Sequence, residues 1–175
     1  MAQKQKQKEE EGVRELSYNE SMLKDIKFRA LEFAQKAHKG QIRKYSGEPY
    51  LHHPIAVASI AAETFRGECN DDAYSGILDD ADTIFVVALL HDTIEDCADV
   101  TFGKIEDEFG TEIATHVRAL TKVEGENYLD GILRARRNAI TKAVKIADLI
   151  HNMSDLPPGT QRDKYDMALY ILQGR

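Results

Sequence analysis

Apolar positions in this chain recur at steps of three and four, and polar residues fill the gaps. Between Ser21 and Lys39 the recurrence runs through Met22, Ile26, Ala30, Phe33, Ala34 and Ala37. That period predicts an amphipathic helix, which Gly40 stops. Residues 41–52 carry Gly47 and Pro49 and read as a loop. Pro54 suits a first helical position, so a buried helix is expected over Ile55 to Phe65, ending at Gly67. The acidic, glycine-bearing stretch 67–80 reads as a surface loop with room for one helical turn. Ala81 to Leu90 is a continuous apolar run leading into His91-Asp92. Taken alone it suits a strand, because Ile, Phe and Val are strand-prone. All flanking segments have helical period, so a central buried helix is the expectation. Thr101 is placed to cap a helix over 102–109, Gly110 breaks it, and 111–121 form the next. Residues 128–152 read as mostly helical, Pro157-Pro158-Gly159 end them, and Gln161 to Leu172 give a last helix. The expected fold is all-α, one bundle of about seven or eight helices, without internal repeats.

The first twenty residues are polar and repetitive and are expected to form a disordered or frayed tail, leaving 21–175 as the folded domain. The 175 residues fit one domain of roughly 100–200 residues. Such a chain buries enough surface to fold without disulfide or structural metal. Lys plus Arg number 23 and Asp plus Glu 30, for a formal net charge of −7. That balance argues against a nucleic-acid or membrane partner. A small phosphorylated ligand needs only a local basic patch. Cys69 and Cys97 form no CxxC pair, no apolar run approaches the length of a membrane span, and no secretory h-region is present. A cytoplasmic location is therefore expected. Composition leaves oligomeric state open.

Candidate chemistry gathers at three places. In His91-Asp92-Thr93-Ile94-Glu95-Asp96, four ligand-type residues follow an apolar segment. If the helix continues, His91 and Glu95 stand at i and i+4, as do Asp92 and Asp96, and all four share one arc. An imidazole and three carboxylates aimed together are costly without a cation or cationic partners. The plainer reading is an amphipathic helix end with solvated acids. At Lys145-Ile146-Ala147-Asp148-Leu149-Ile150-His151-Asn152, Asp148 sits among apolar residues and faces inward, with Asn152 one turn later. The plainer reading there is a buried Asp paired with Lys or Arg. The third place is the basic, aromatic loop Arg43-Lys44-Tyr45, which leads to His52-His53-Pro54. Three clusters in one small helical domain favour a metal site over three unrelated coincidences.

These residues carry a resemblance. The doublet His91-Asp92, with a distant His before it and a distant Asp after it, resembles the HD-domain metal phosphohydrolases. Ala37-His38-Lys39-Gly40-Gln41, Arg43-Lys44, Ser46-Gly47-Glu48-Pro49-Tyr50 and His53-Pro54 are similar to the hydrolase domain of RelA/SpoT-type alarmone enzymes. So are Ala88 to Asp96, Phe109-Gly110, Lys145 to Asp148 and His151-Asn152-Met153, in matching order over about residues 25–172. The resemblance implies an all-α fold and one Mn²⁺, or another divalent cation, held by His53, His91, Asp92 and Asp148. His53 is taken over His52 because the family ligand directly precedes Pro. Glu95 and Asp96 match the pair that handles the attacking water. Arg43 and Lys44 match the loop that meets the guanine end and a nearby phosphate, and Asn152 matches a nucleotide-contacting position.

The activity this implies is removal of the 3′-pyrophosphate from guanosine 3′,5′-bispyrophosphate (or its pentaphosphate), giving GDP or GTP and pyrophosphate. The chain's length leaves no room for a synthetase domain, so hydrolysis without synthesis is expected. Mixed imidazole and carboxylate ligation suits Mn²⁺, although Fe²⁺ or Zn²⁺ would bind such donors too. The net negative charge makes the substrate depend on the metal and on local cations such as Arg43, Lys44, Lys142 and Lys145. A solvated basic face is the plainer reading for Lys142 and Lys145. Three positions depart from the family pattern: Leu149 replaces an Arg, and Ser154-Asp155 replace Arg-Thr. They keep two alternatives open: an HD phosphohydrolase acting on another nucleotide, such as a 3′-phosphorylated dinucleotide cofactor, and a non-catalytic nucleotide-binding module.

Overall fold

The computed structural model describes residues 26–68 and 77–174. The expected tail over 1–20, the helix start at Ser21 and most of the acidic loop lie outside them. In chain order the helices are α1 (26–37), α2 (His52–Glu68), α3 (Ile77–Leu90), the single turn α4 (Thr93–Asp96), α5 (Phe102–Phe109), α6 (Thr111–Leu120), α7 (Tyr128–Arg136), α8 (Ala139–Asp155) and α9 (Thr160–Gln173). The all-α expectation holds; the one β feature among the described residues is the isolated bridge Ile42–Pro49.

The apolar run is a helix, and its burial explains why. Ile84, Val86, Val87, Ala88, Leu89 and Leu90 are all buried, so the C-terminal half of α3 is apolar on every side and needs cover all round. Each such Ile or Leu contributes about 1.5–3 kcal/mol by leaving water. Cover comes from α2, whose Val57, Ala58, Ala61 and Phe65 face it, and from Ala143, Val144 and Ala147 of α8. A second, smaller core joins Ile132 of α7, Ile146 and Leu149 of α8, and Ala168 and Leu172 of α9. Helix α8 thus lies between two cores, and its orientation is fixed from both sides. Leu149, where the family pattern has Arg, is a packing residue of the second core.

Caps fall where the side chains demand. Thr101 accepts from the Lys104 amide at 3.3 Å, and Asn138 accepts from the Ile140 and Thr141 amides at 2.8 and 3.3 Å. Both satisfy otherwise orphaned first-turn donors. Asn138 splits the expected 128–152 helix into α7 and α8. Gly110, at φ +87°, separates α5 from α6 as its left-handed backbone requires. Two helix starts differ most from expectation. Helix α2 begins at His52, two residues before Pro54, which brings His53 into its first turn. Helix α3 begins at Ile77, inside the expected loop. Among the described residues no helix is long and apolar enough to cross a membrane.

Candidate active site

The arc expected for His91 to Asp96 does not form, because the helix does not continue. Helix α3 ends at Leu90, His91 and Asp92 occupy a turn, and α4 restarts at Thr93. Thr93 steadies the break by donating Oγ1–H to the Leu90 carbonyl at 2.7 Å. The turn lets consecutive side chains face one point. Asp92 Oδ2 lies 3.1 Å from His91 Nε2 and 3.3 Å from His53 Nε2. Asp148 Oδ1 approaches the same two nitrogens, at 3.3 Å from His53 and 3.7 Å from His91. First turn of α2, end of α3 and middle of α8 therefore converge. All three contribute side chains to the larger core.

The donors that converge here could hold a cation. His53, His91 and Asp148 are buried, and their ligand atoms lie within 4.8 Å of one another. The Nε2 atoms of His53 and His91 have no hydrogen-bond partner, which is unfavourable for buried polar atoms unless something else meets their lone pairs. Separations of about 3 Å are those of donors sharing an ion bound at about 2.1 Å. Burial alone would push both imidazoles down, but Asp92 and Asp148 outweigh it and hold them above the usual histidine range, His91 by far. Burial alone would likewise raise both aspartates. His91 and His53 keep Asp92 well below the carboxylate range, and Lys145 with the two imidazoles does the same for Asp148. A field that favours a proton on those nitrogens favours a divalent cation between them.

The plainer reading of Asp148 is also met, on its other oxygen. Lys145 Nζ bonds Oδ2 at 2.8 Å, so Lys145 is a partly buried ion-pair partner and not a solvated surface cation. Oδ1 accepts from Asn152 Nδ2 at 2.5 Å and still faces the histidines. His52, the rejected neighbour of His53, is exposed and lies 3.7 Å from Glu48.

Glu95 and Asp96 are exposed in α4, beside the cluster. Glu95 Oε1 accepts from the Lys122 amide at 2.6 Å. Burial lifts its carboxyl above the usual range, the Lys122 bond opposes that, and Asp92 adds to it. Asp96 meets the cluster through Tyr50, whose hydroxyl lies 2.8 Å from Asp96 Oδ2 and 2.7 Å from Asp92 Oδ2. Burial, with both carboxylates beside it, drives the Tyr50 phenol far above its usual range, so it stays a proton donor. The sequence reading gave Tyr50 and His151 no role. Their signals were position: Tyr50 stands one turn before His53, and His151 one turn after Asp148.

Arg43 is buried and already engaged. Its Nε and Nη2 bond Asp155 at 3.3 and 2.9 Å, and its Nη1 bonds Asn152 Oδ1 at 2.9 Å. The departure Asp155 thus neutralises the residue expected at the base end. Lys44 is exposed, with Nζ 5.3 Å from the Tyr45 ring centre. A cleft of about 770 Å³ lies on the α1 and α5 side and meets this site only along Gln41 and Asp96.

A family model described as an HD domain matches residues 30–171. The chain is 35% identical over 156 residues to the guanosine-3′,5′-bis(diphosphate) 3′-pyrophosphohydrolase of Aquifex aeolicus (strain VF5), covering 85% of this chain and 20% of that protein. It is 36% identical over 146 residues to the GTP pyrophosphokinase of Myxococcus xanthus, covering 75% of this chain and 17% of that protein. A solved structure described as a metazoan ortholog of SpoT that hydrolyzes ppGpp shares the fold, with TM-score 0.60, 23% identity and 84% of each chain covered. The chain spans about a fifth or less of the length of the curated relatives it matches.

Proposed function

Because the chain belongs to the HD-domain family, we propose that it is a phosphohydrolase that uses a divalent cation, Mn²⁺ by preference, to remove the 3′-pyrophosphate of guanosine 3′,5′-bispyrophosphate. The observation that carries this reading is the pair of buried, unpartnered imidazole nitrogens of His53 and His91 facing two carboxylates. His53, His91, Asp92 and Asp148 would hold the ion, which when bound supplies Lewis acidity toward water and the phosphoryl group. Glu95, with a carboxyl lifted by burial, is suited to take the proton of the attacking water. Asp96 and Asp92 are held in register by the Tyr50 hydroxyl. Lys145 keeps Asp148 ionised, and exposed Lys44 would meet a substrate phosphate.

A second reading, hydrolysis of another phosphorylated nucleotide, is favoured by the Arg43–Asp155 pair. It removes net positive charge from the end where the guanine alarmone would rest. A panel of nucleotides incubated with Mn²⁺-loaded protein separates the two. Pyrophosphate released from guanosine 3′,5′-bispyrophosphate is the expected result. Orthophosphate released mainly from a 3′-phosphorylated dinucleotide cofactor would transfer the assignment to the second reading. Release from neither would overturn both.

Arg43 gives a further expected outcome. Its loss removes a charge-assisted contact, so Arg43→Ala should raise KM for the active substrate about tenfold or more, with metal occupancy under saturating Mn²⁺ near that of the unaltered chain. Steady-state kinetics with parallel metal analysis checks this. Unchanged KM would make Arg43 a brace between the loop and α8 and nothing more.

A further inference from the structure

His53 is held in place by a second imidazole. Its Nδ1 lies 2.9 Å from Nδ1 of His151, and the ring centroids are 5.0 Å apart. Two imidazole nitrogens at that distance share one proton, one ring donating and the other accepting. If the Nε2 lone pair of His53 serves a cation, the His53 proton sits on Nδ1. The shared proton then belongs to His53, His151 is the acceptor, and His151 carries its own proton on Nε2. His91 follows the same scheme with a different acceptor, its Nδ1 donating to the Ala88 carbonyl at 2.7 Å. Ligating histidines usually donate this second proton to a carboxylate, a backbone carbonyl or a water. Here one of the two donates to a neutral ring.

We propose that His151 is a positioning residue of the metal site: by accepting the His53 Nδ1 proton it fixes the tautomer and ring plane of His53, so that Nε2 faces Asp92 and Asp148. This rests on the reading of His53 as a ligand. Helix α8 makes the arrangement rigid. Asp148 and His151 are one turn apart on it, and α8 is packed by apolar cores on both sides. One helix therefore supplies a ligand carboxylate and the acceptor that orients a ligand from another helix. Helix α2 and α8 consequently meet at this site through side chains as well as through the core.

The test is metal affinity, which does not depend on the identity of the substrate. Mn²⁺ titration of the metal-stripped full chain is followed by calorimetry for the unaltered protein, His151→Leu and His151→Asn. Leu fills space without accepting a proton, whereas the Asn side-chain oxygen can stand near the position of Nδ1. The proposal expects His151→Leu to weaken Mn²⁺ binding about 10–100-fold, and His151→Asn to stay within a few-fold of the unaltered protein. Thermal unfolding in chelator should be alike for all three. Unaltered Mn²⁺ affinity in His151→Leu overturns the proposal, as does an Asn variant as weak as the Leu variant while both are folded. Should the Leu variant fail to fold, nitrogen NMR of the Zn²⁺-loaded unaltered protein decides. His53 protonated at Nδ1 and His151 at Nε2 is the expected pattern, and a proton on His151 Nδ1 overturns it. An unaltered chain that takes up no divalent ion overturns the ligand reading itself, and with it this proposal.

Discussion

Replacing Asp148 with Ala is expected to leave the purified chain without a bound divalent ion, where the unaltered chain carries one. Asp148 Oδ1 stands 3.3 and 3.7 Å from the two orphaned imidazole nitrogens, so its loss opens one side of the site. The effect is compounded by Lys145. Its ammonium bonds Asp148 Oδ2 at 2.8 Å and would be left as an unpaired charge beside a would-be cation. Breaking a buried ion pair by removing one partner typically costs about 3–5 kcal/mol of stability, so circular dichroism must accompany the metal analysis. Asp148→Asn preserves the shape and separates lost charge from lost volume. Elemental analysis should find little metal in either variant, and full occupancy in folded Asp148→Ala would sink the ligand assignment. The neighbouring pair gives an internal control: His53→Ala should lose the ion, and exposed His52→Ala should keep it.

Glu95→Gln and Asp96→Asn should do the reverse, keeping the metal and losing the reaction. The two carboxylates flank the cluster without belonging to it. Glu95 is tied to the Lys122 amide and Asp96 to the Tyr50 hydroxyl. Each replacement retains a side-chain oxygen able to accept that same bond, so the local fold should persist. A general base typically contributes about 10²–10⁴ in rate, and one or both variants should hydrolyse substrate at least about 100-fold more slowly. Single-turnover hydrolysis under saturating Mn²⁺, with metal content measured in parallel, decides the matter. Near-normal turnover in both would remove the assigned role, and metal loss in step with activity would make them ligands. The pH dependence has a definite sign. A base works deprotonated, and burial holds the Glu95 carboxyl above its usual range. The acidic limb of kcat/KM should therefore rise at a pH above that of an ordinary carboxylate, and Glu95→Gln should abolish that limb.

Helical period and turn residues made most of the architecture legible, since Thr101, Gly110 and Asn138 act within a few residues of where they stand. The α3 segment was ambiguous as an isolated string, because a helix buried on every side loses the polar face that reveals period. Only its neighbours pointed to helix, and packing between α2 and α8 is what decides it. The resemblance supplied the proposed ligand set but not its geometry. An unbroken helix would have spread His91 to Asp96 over a wide arc, whereas the turn at His91-Asp92 aims two adjacent side chains at one point. That turn depends on Thr93 bonding back to the Leu90 carbonyl, a local bond with a weak sequence signal. The partners of Arg43 and His53 lie about a hundred positions away on α8. Spacing along the chain carries no information about such contacts, so nothing near position 155 marks Asp155 as the counter-ion of Arg43.

The Asn152 side chain couples two tasks that evolution would otherwise adjust separately. Arg43 can only donate and the Asp148 carboxylate accepts, so the amide between them has one orientation, oxygen toward Arg43 and nitrogen toward Asp148. Any substitution that retunes the nucleotide end by drawing Arg43 away, at position 155 or in the loop, frees that amide to turn. Asp148 Oδ1 would then lose a donor that helps to orient it. On the proposed function, changing what this chain recognises would thus also change how firmly it grips its ion. Drift toward a new substrate would have to proceed through variants whose metal requirement rises before their preference has settled.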